Sequence, residues 1–225
     1  MKNWRGIWLP DGETHLTEWM EKRNEIVRGL PTYQYHKLRA AVDLVSADRR
    51  RVALDIGAHC GLWSMHLVHE FDRLIAFEPM AAHRACFLKN VDCDRFRVLL
   101  YSSALGEATR DVTMTTGPAS SGDTWIRPTD DHASPVAQTA TMSRLDDWTF
   151  PPVDFVKIDC EGYELPILRG GEETLTRDRP VICIEQKPGH ASRFGFGDTD
   201  AIDWLKARGW RQAGVMSGDY LMVPA

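Results

Sequence analysis

The spacing of apolar positions changes character near residue 52. Ahead of it, Trp4-Arg5-Gly6-Ile7-Trp8-Leu9 reads as a short strand and Pro10-Asp11-Gly12 as a turn. A helix is predicted over residues 16–28, with Thr14 as N-cap and Gly29 as its stop. A second helix is predicted over 33–45, where Leu38, Ala41, Val42 and Val45 recur at helical spacing. From Val52 onward, apolar strand-like runs alternate with helical patterns, which predicts a parallel sheet. Strands are expected over 52–56, 74–78, 96–100, 155–159 and 181–185, and helices over 62–71 and 81–91. A helix over 200–208 stops at Gly209, and 212–216 and 220–223 form a hairpin through Ser217-Gly218-Asp219. The fold expected is therefore α/β, a mostly parallel seven-stranded sheet with an antiparallel C-terminal hairpin. Residues 1–48 form a strand and helix cap, not an independent domain, ahead of one domain over 49–225.

An insert over 106–153 separates the third and fourth strands. It carries strands around 112–114 and 137–141, with the loop 117–123 between them. Long loops in compact domains tend to serve a function, so the insert reads as a substrate wall; a decorative β-ribbon is the plain alternative.

Four predicted strands end in a carboxylate: Asp55, Glu78, Asp159 and Glu185. In open α/β sheets ligands bind beyond the carboxyl ends of the strands, so all four acids should face one crevice. After the first strand, Asp55-Ile56-Gly57-Ala58-His59-Cys60-Gly61 forms a glycine loop. Gly57 and Gly61 allow a sharp turn and close backbone approach, and the next helix offers free N–H groups to an anion. The Gly-x-x-x-Gly spacing differs from the Gly-x-Gly-x-x-Gly of nicotinamide and flavin enzymes. Glu78 follows about twenty residues on, where a carboxylate can hold both hydroxyls of a ribose. Asp55 reads equally as a loop-shaping residue or a ligand contact.

The turn Lys157-Ile158-Asp159-Cys160-Glu161-Gly162-Tyr163-Glu164 is the second dense feature. Alternation sends Lys157 and Asp159 to one side, with Glu161 at the strand's mouth. Such carboxylates can take a proton from a substrate hydroxyl, bind neighbouring hydroxyls, hold a divalent cation or simply cap the next helix. With a divalent cation, the ligands would be Asp159, Glu161 and Glu185.

Composition narrows this picture only a little. The 225 residues are 43% hydrophobic and 26% charged, ordinary for a globular protein. A net charge of −5 argues against nucleic acid as partner. No apolar run approaches the ~20 residues that span a bilayer, and no signal peptide opens the chain. Five scattered cysteines without Cys-x-x-Cys suggest reduced thiols and a cytoplasmic setting. His66 and His69 are expected on a solvated helix face, and Arg49-Arg50-Arg51 at a solvated boundary before the first core strand.

Several segments resemble the FkbM-type methyltransferase family. They are Leu54-Asp55-Ile56-Gly57-Ala58-His59-Cys60-Gly61-Leu62-Trp63-Ser64, Ala76-Phe77-Glu78-Pro79, Ser103-Ala104-Leu105-Gly106-Glu107, and Val156 to Glu164 with Leu168-Arg169-Gly170-Gly171. Arg179-Pro180-Val181 leading to Glu185 also fits. The resemblance implies a Rossmann-like class I methyltransferase using S-adenosylmethionine, commonly to methylate oxygen on sugars or other small molecules. It implies cofactor contacts at Asp55, Gly57, Gly61, Glu78, Ser102, Ser103 and Ala104, with Ala58 and His59 of the loop and Pro79 after the second strand as further candidates from their position. Asp159 and Glu161 become the catalytic acids beside the transferred methyl. Residues 119–123 depart from the Asn-rich glycine loop the family would suggest, which bears on the acceptor. Trp19, Tyr33, Gln34, Tyr35 and His36 could form a lid or merely pack. Two rival readings are a nucleotide-dependent oxidoreductase, since Glu78 would suit an NAD ribose, and a catalytically silent cofactor-binding or partner-docking domain.

Overall fold

A computed structural model describes residues 1–135 and 137–225. Seven strands form the central sheet: β1 (Val52–Ile56), β2 (Arg73–Phe77), β3 (Val98–Tyr101), β4 (Phe155–Ile158), β5 (Val181–Glu185), β6 (Trp210–Met216) and β7 (Asp219–Pro224). Their order is β6-β7-β5-β4-β1-β2-β3. The first five run parallel, while β7 is antiparallel to both β5 and β6. Strand order reverses between β1 and β4, and a crevice opens at such a switch point.

The apolar runs of the strands are explained by burial on both faces. Leu54, Ile56, Val156 and Ile158 pack on one side with Leu165, Ile167, Ile202 and Leu205. Ala53, Leu74, Phe155 and Cys183 pack on the other, under Leu38, Ala41 and Val42 of the cap and Leu67 and Phe87. The insert supplies Arg110–Thr116, Thr124–Ile126 and Gln138–Ser143, which form a four-stranded sheet with Ala104–Leu105 just ahead of it. Its Met114, Ile126 and Met142 join the first of these cores, so the insert is packed against the domain.

Several elements differ from expectation for identifiable reasons. The first strand is two, Lys2–Trp4 and Ile7–Leu9, because Arg5 and Gly6 turn at positive φ. The cap helix covers His15–Arg23 and stops at a left-handed Asn24; Ile26–Val27 and Leu30–Pro31 then make a small hairpin. Thr14 holds the N-cap position, but its side chain makes no cap bond; Glu13 instead accepts the Leu16 N–H at 2.8 Å. The helix after β1 shrinks to Ser64–Leu67, and Cys93–Phe96 is helical, which delays β3 to Val98. His66 is buried, not solvated; burial and the nearby Arg28 lower its pKa to about 4. The arginine run is engaged: Arg51 and Arg49 meet buried Asp154 at 2.6 and 3.4 Å, and Arg50 meets Glu70 at 2.8 Å. Among the described residues, no helix is long and apolar enough to cross a membrane.

Candidate active site

The glycine loop leaves β1 folded tightly over its neighbours. Gly57 and Ala58 donate their N–H groups to Phe77 O at 3.0 and 3.1 Å, fastening the loop to the end of β2. Gly57 sits at φ +76°, and a Cβ there would lie 2.0 Å from the Asp159 carbonyl oxygen. The loop can approach β4 this closely only with glycine. His59 is also left-handed, at φ 50°, which aims its N–H at Glu78 Oε2, 2.8 Å away.

Glu78 is buried and heavily bonded. Its Oε1 accepts the Met80 N–H at 2.8 Å and lies 3.3 Å from His83 Nδ1. Burial pushes its pKa up, but His83, His59 and the Met80 N–H outweigh that and hold it below the usual carboxylate range. Asp55 is fully buried at the other side of the loop. Its Oδ2 accepts from Ser64 Oγ at 2.6 Å, while Oδ1, 3.8 Å from Lys157 Nζ, has no hydrogen-bond partner.

Two cavities meet over this loop. The first, about 570 Å³ with its open mouth, is lined by Phe77, Glu78, Pro79, His83, Ser103 and Ala104. Met114, Trp125 and Ile126 of the insert and Tyr163 close it. The second, about 710 Å³ measured the same way, holds Asp55, Ala58, Trp63, Lys157, Glu161, Glu185 and Lys187. Gly57, His59, Gly122 and Asp159 line both. The volumes suit a small-molecule site.

Charge is concentrated in the second cavity. Asp159 lies 3.2 Å from Lys157 Nζ; burial pushes its pKa up, but Lys157 and Lys187 hold it well below the usual range. Glu161, at φ 55°, receives Lys187 Nζ at 3.1 Å, and the same ammonium lies 3.0 Å from Glu185. Burial and the negative Asp159 push Glu161 up to about 7 and Glu185 up to about 10. Glu161 Oε2 is 2.7 Å from His190 Nδ1, but the two do not align as a hydrogen bond. Asp159, Glu161 and Glu185 converge to within 4.8 Å, close enough for a divalent cation, and Lys187 already supplies two of them with positive charge.

Glu164 fixes the turn beneath these acids. It accepts the N–H groups of Cys160 and Gly162 at 3.1 and 3.0 Å, and Gln186 Nε2 at 3.1 Å. Burial raises its pKa from 4.5 to about 7 despite the backbone N–H groups that lower it. Because the folded value is raised, this group's stability contribution is full below 4.5 and is lost as pH rises through about 7. Urea unfolding across that range should therefore show wild type losing stability relative to Glu164→Gln, by at most about 1.4 kcal/mol per pH unit. Parallel stability curves would show that Glu164 carries no such proton.

Most sequence-chosen residues meet here. Gly61 lines neither cavity; its absent Cβ makes room for Phe87 and Val91. Ser102 is exposed and faces a separate depression beside Tyr101 and Trp148. Ser103 lines the first cavity, but its hydroxyl is already engaged with Ala104 O, Thr141 O and Ser143. Lys187, His83 and Glu13 were missed. Lys187 had a signal, since Glu185-Gln186-Lys187 repeats the one-side alternation seen in Lys157 and Asp159. Glu13 had none: it reaches across the sequence to accept Ser121 N and Oγ at 2.7 and 2.5 Å. Ser121 Oγ in turn lies 3.0 Å from His59 Nε2, so cap, insert and glycine loop share one junction. From the cap, His15, Leu16 and Tyr33 line the second cavity.

Comparison with known proteins supplies the context. The family profile described as Methyltransferase FkbM domain matches residues 55–211. The FkbM methyltransferase of Methylobacillus flagellatus KT is similar in structure, with a TM-score of 0.51 and 18% identity over 79% of this chain. The chain spans 44% of that protein's length. An O-methyltransferase from Bacillus cereus, solved in complex with SAH, gives a TM-score of 0.51 at 14% identity, covering 93% of this chain and 89% of that one. Monomeric WbdD gives 0.56 at 10% identity, covering 96% and 46%. At these identities the likeness is one of fold, and the fold is that of class I methyltransferases. No curated protein matches the sequence significantly.

Proposed function

We propose, from the premise that this chain belongs to the FkbM methyltransferase family, that it transfers the methyl group of S-adenosylmethionine to a hydroxyl of a sugar or other small molecule. The observation that carries this reading is the pair of acids flanking the Gly57 loop. Glu78 lines the first cavity, and Asp55, whose buried Oδ1 has no hydrogen-bond partner, lines the second. A buried acceptor without a donor is costly, and the cofactor's amino group would satisfy it. Each Glu78 oxygen already accepts a backbone N–H, yet an ionised carboxylate has about four acceptor sites, leaving room for the ribose hydroxyls. The residues fit the cofactor, with Glu78, Pro79, Ser103 and Ala104 on its nucleoside and Asp55, Gly57, Ala58 and His59 on its amino-acid end.

The cofactor supplies a methyl group already activated by its sulfonium. The chain's part is then to bind, align and exclude water. Asp159 lies where both cavities meet and, ionised beside Lys157, orients an acceptor hydroxyl. Glu161, whose pKa of about 7 suits proton exchange near neutrality, receives the hydroxyl proton. Lys187 balances the acids. The acid-rich second cavity and the overall charge of −5 favour an uncharged, hydroxylated acceptor over nucleic acid.

Titration calorimetry with S-adenosylmethionine and with NAD⁺ tests the reading. S-adenosylmethionine should bind and NAD⁺ should not. Glu78→Gln should weaken S-adenosylmethionine by about 1.5–3 kcal/mol, roughly 10- to 150-fold in Kd. Preferred binding of NAD⁺, or an unchanged Kd in the variant, would overturn it.

A further inference from the structure

A third concavity lies outside the two described, on the far side of Tyr163 and Ile126, which line both it and the first cavity. It encloses about 1170 Å³ with open solvent counted. Its walls carry three guanidinium groups, Arg110, Arg127 and Arg193, beside Tyr163, Phe194 and Phe196. Sequence spacing gave no hint of it, because the arginines come from the insert and from the segment after β5.

The three guanidiniums are underused. Arg110 makes one long contact, 3.4 Å to the Tyr163 hydroxyl, and Arg127 donates to Ser134 O at 3.1 Å. Arg193 donates to Glu161 O at 3.3 Å and lies over the Trp125 ring at 4.4 Å. None has a carboxylate partner within 4 Å among the described residues, although salt bridges engage Arg49, Arg50, Arg51 and Arg169. Two acids share the walls. Glu107 is paired with Arg169 at 3.4 Å, which leaves Asp130 as the one opposing charge on the cleft wall. Nearby Asp131 spends an oxygen on the Ala133 and Ser134 N–H groups of its own turn.

Each guanidinium offers five N–H donors in a rigid fork, and most remain free here. Guanidinium forks that share one cleft suit a tetrahedral dianion, which can accept from several at once, better than a single carboxylate. The aromatic wall adds a surface for an organic group, with Phe194 edge-on to Tyr163 at 4.9 Å. We propose that this cleft binds the phosphate group of a small phosphorylated molecule, whose organic part lies against Phe194 and Phe196. A long nucleic acid is disfavoured by the net charge of −5.

The test is direct binding, so it stands or falls separately from methyl transfer. Phenyl phosphate, inorganic phosphate and phenol are titrated into the protein by calorimetry at constant ionic strength. Phenyl phosphate should bind saturably and more tightly than inorganic phosphate, and phenol should show no saturable binding. The double variant Arg110→Gln/Arg127→Gln should raise the phenyl phosphate Kd at least about tenfold, as expected for lost charge-assisted bonds. Arg127→Gln alone, which gives up one bond to Ser134, should show a smaller rise and serves if the double variant does not fold. Identical isotherms for wild type and variant overturn the site. Equal affinity for phosphate and phenyl phosphate overturns the organic subsite.

Discussion

Gly57→Ala is expected to abolish measurable cofactor binding and to lower stability by about 2–6 kcal/mol. Two costs add. An alanine at φ +76° is strained, by about 1–3 kcal/mol, and its Cβ would stand 2.0 Å from a backbone oxygen of Asp159. Real contacts do not tolerate that distance, so β1 and β4 would have to separate at the switch point, an overpacking penalty of another 1–3 kcal/mol, roughly. The movement also displaces the His59 N–H from Glu78 and shifts Asp159, which touches both cavities. Gly12→Ala is the matched control, because Gly12 has φ +79° with nothing within 4 Å of the added atom. Urea unfolding and cofactor titration of both variants separate strain from crowding. If Gly57→Ala behaves like Gly12→Ala, the close approach of the two loops is not a constraint.

Asp159→Asn should lower turnover by about 10²-fold or more while leaving S-adenosylmethionine affinity within a few-fold of wild type. The substitution keeps shape and removes one negative charge beside Lys157 and Lys187. Lys157 holds the Asp159 carboxyl well below the usual range, which makes it a weak proton acceptor and a strong orienting group. The loss should therefore fall on kcat, measured as label transfer from S-adenosylmethionine to a panel of monosaccharides and polyols. Retained turnover would remove Asp159 from the chemistry. Absent turnover in wild type across a broad panel would favour a binding domain instead.

Much of this site was legible in the sequence because its parts follow local rules. Strand-end acids, a glycine loop and a one-side alternation are properties of neighbouring residues. Asp55, Gly57, Glu78 and Asp159 accordingly fall together around one crevice. The failures are of two physical kinds. The cap helix ends earlier than apolar periodicity suggests, since Asn24 adopts a left-handed cap that periodicity does not register. Long-range pairings were invisible: Glu13 to Ser121 spans 108 positions, and the His83 contact with Glu78 needs a particular helix entry angle. The orphaned oxygen of Asp55 is likewise a fact of packing, not of pattern.

The second cavity draws His15, Leu16 and Tyr33 from a stretch that precedes the 55–211 family match. The wall of that cavity is thus drawn partly from outside the matched segment, beside Ser120, Gly122 and Asp123 within it. Substitutions in the cap can redraw the cavity's shape without touching the glycine loop or Asp159. Two proteins alike over the matched segment can on this plan diverge in what they accept. The cap is accordingly the natural place to engineer a new selectivity.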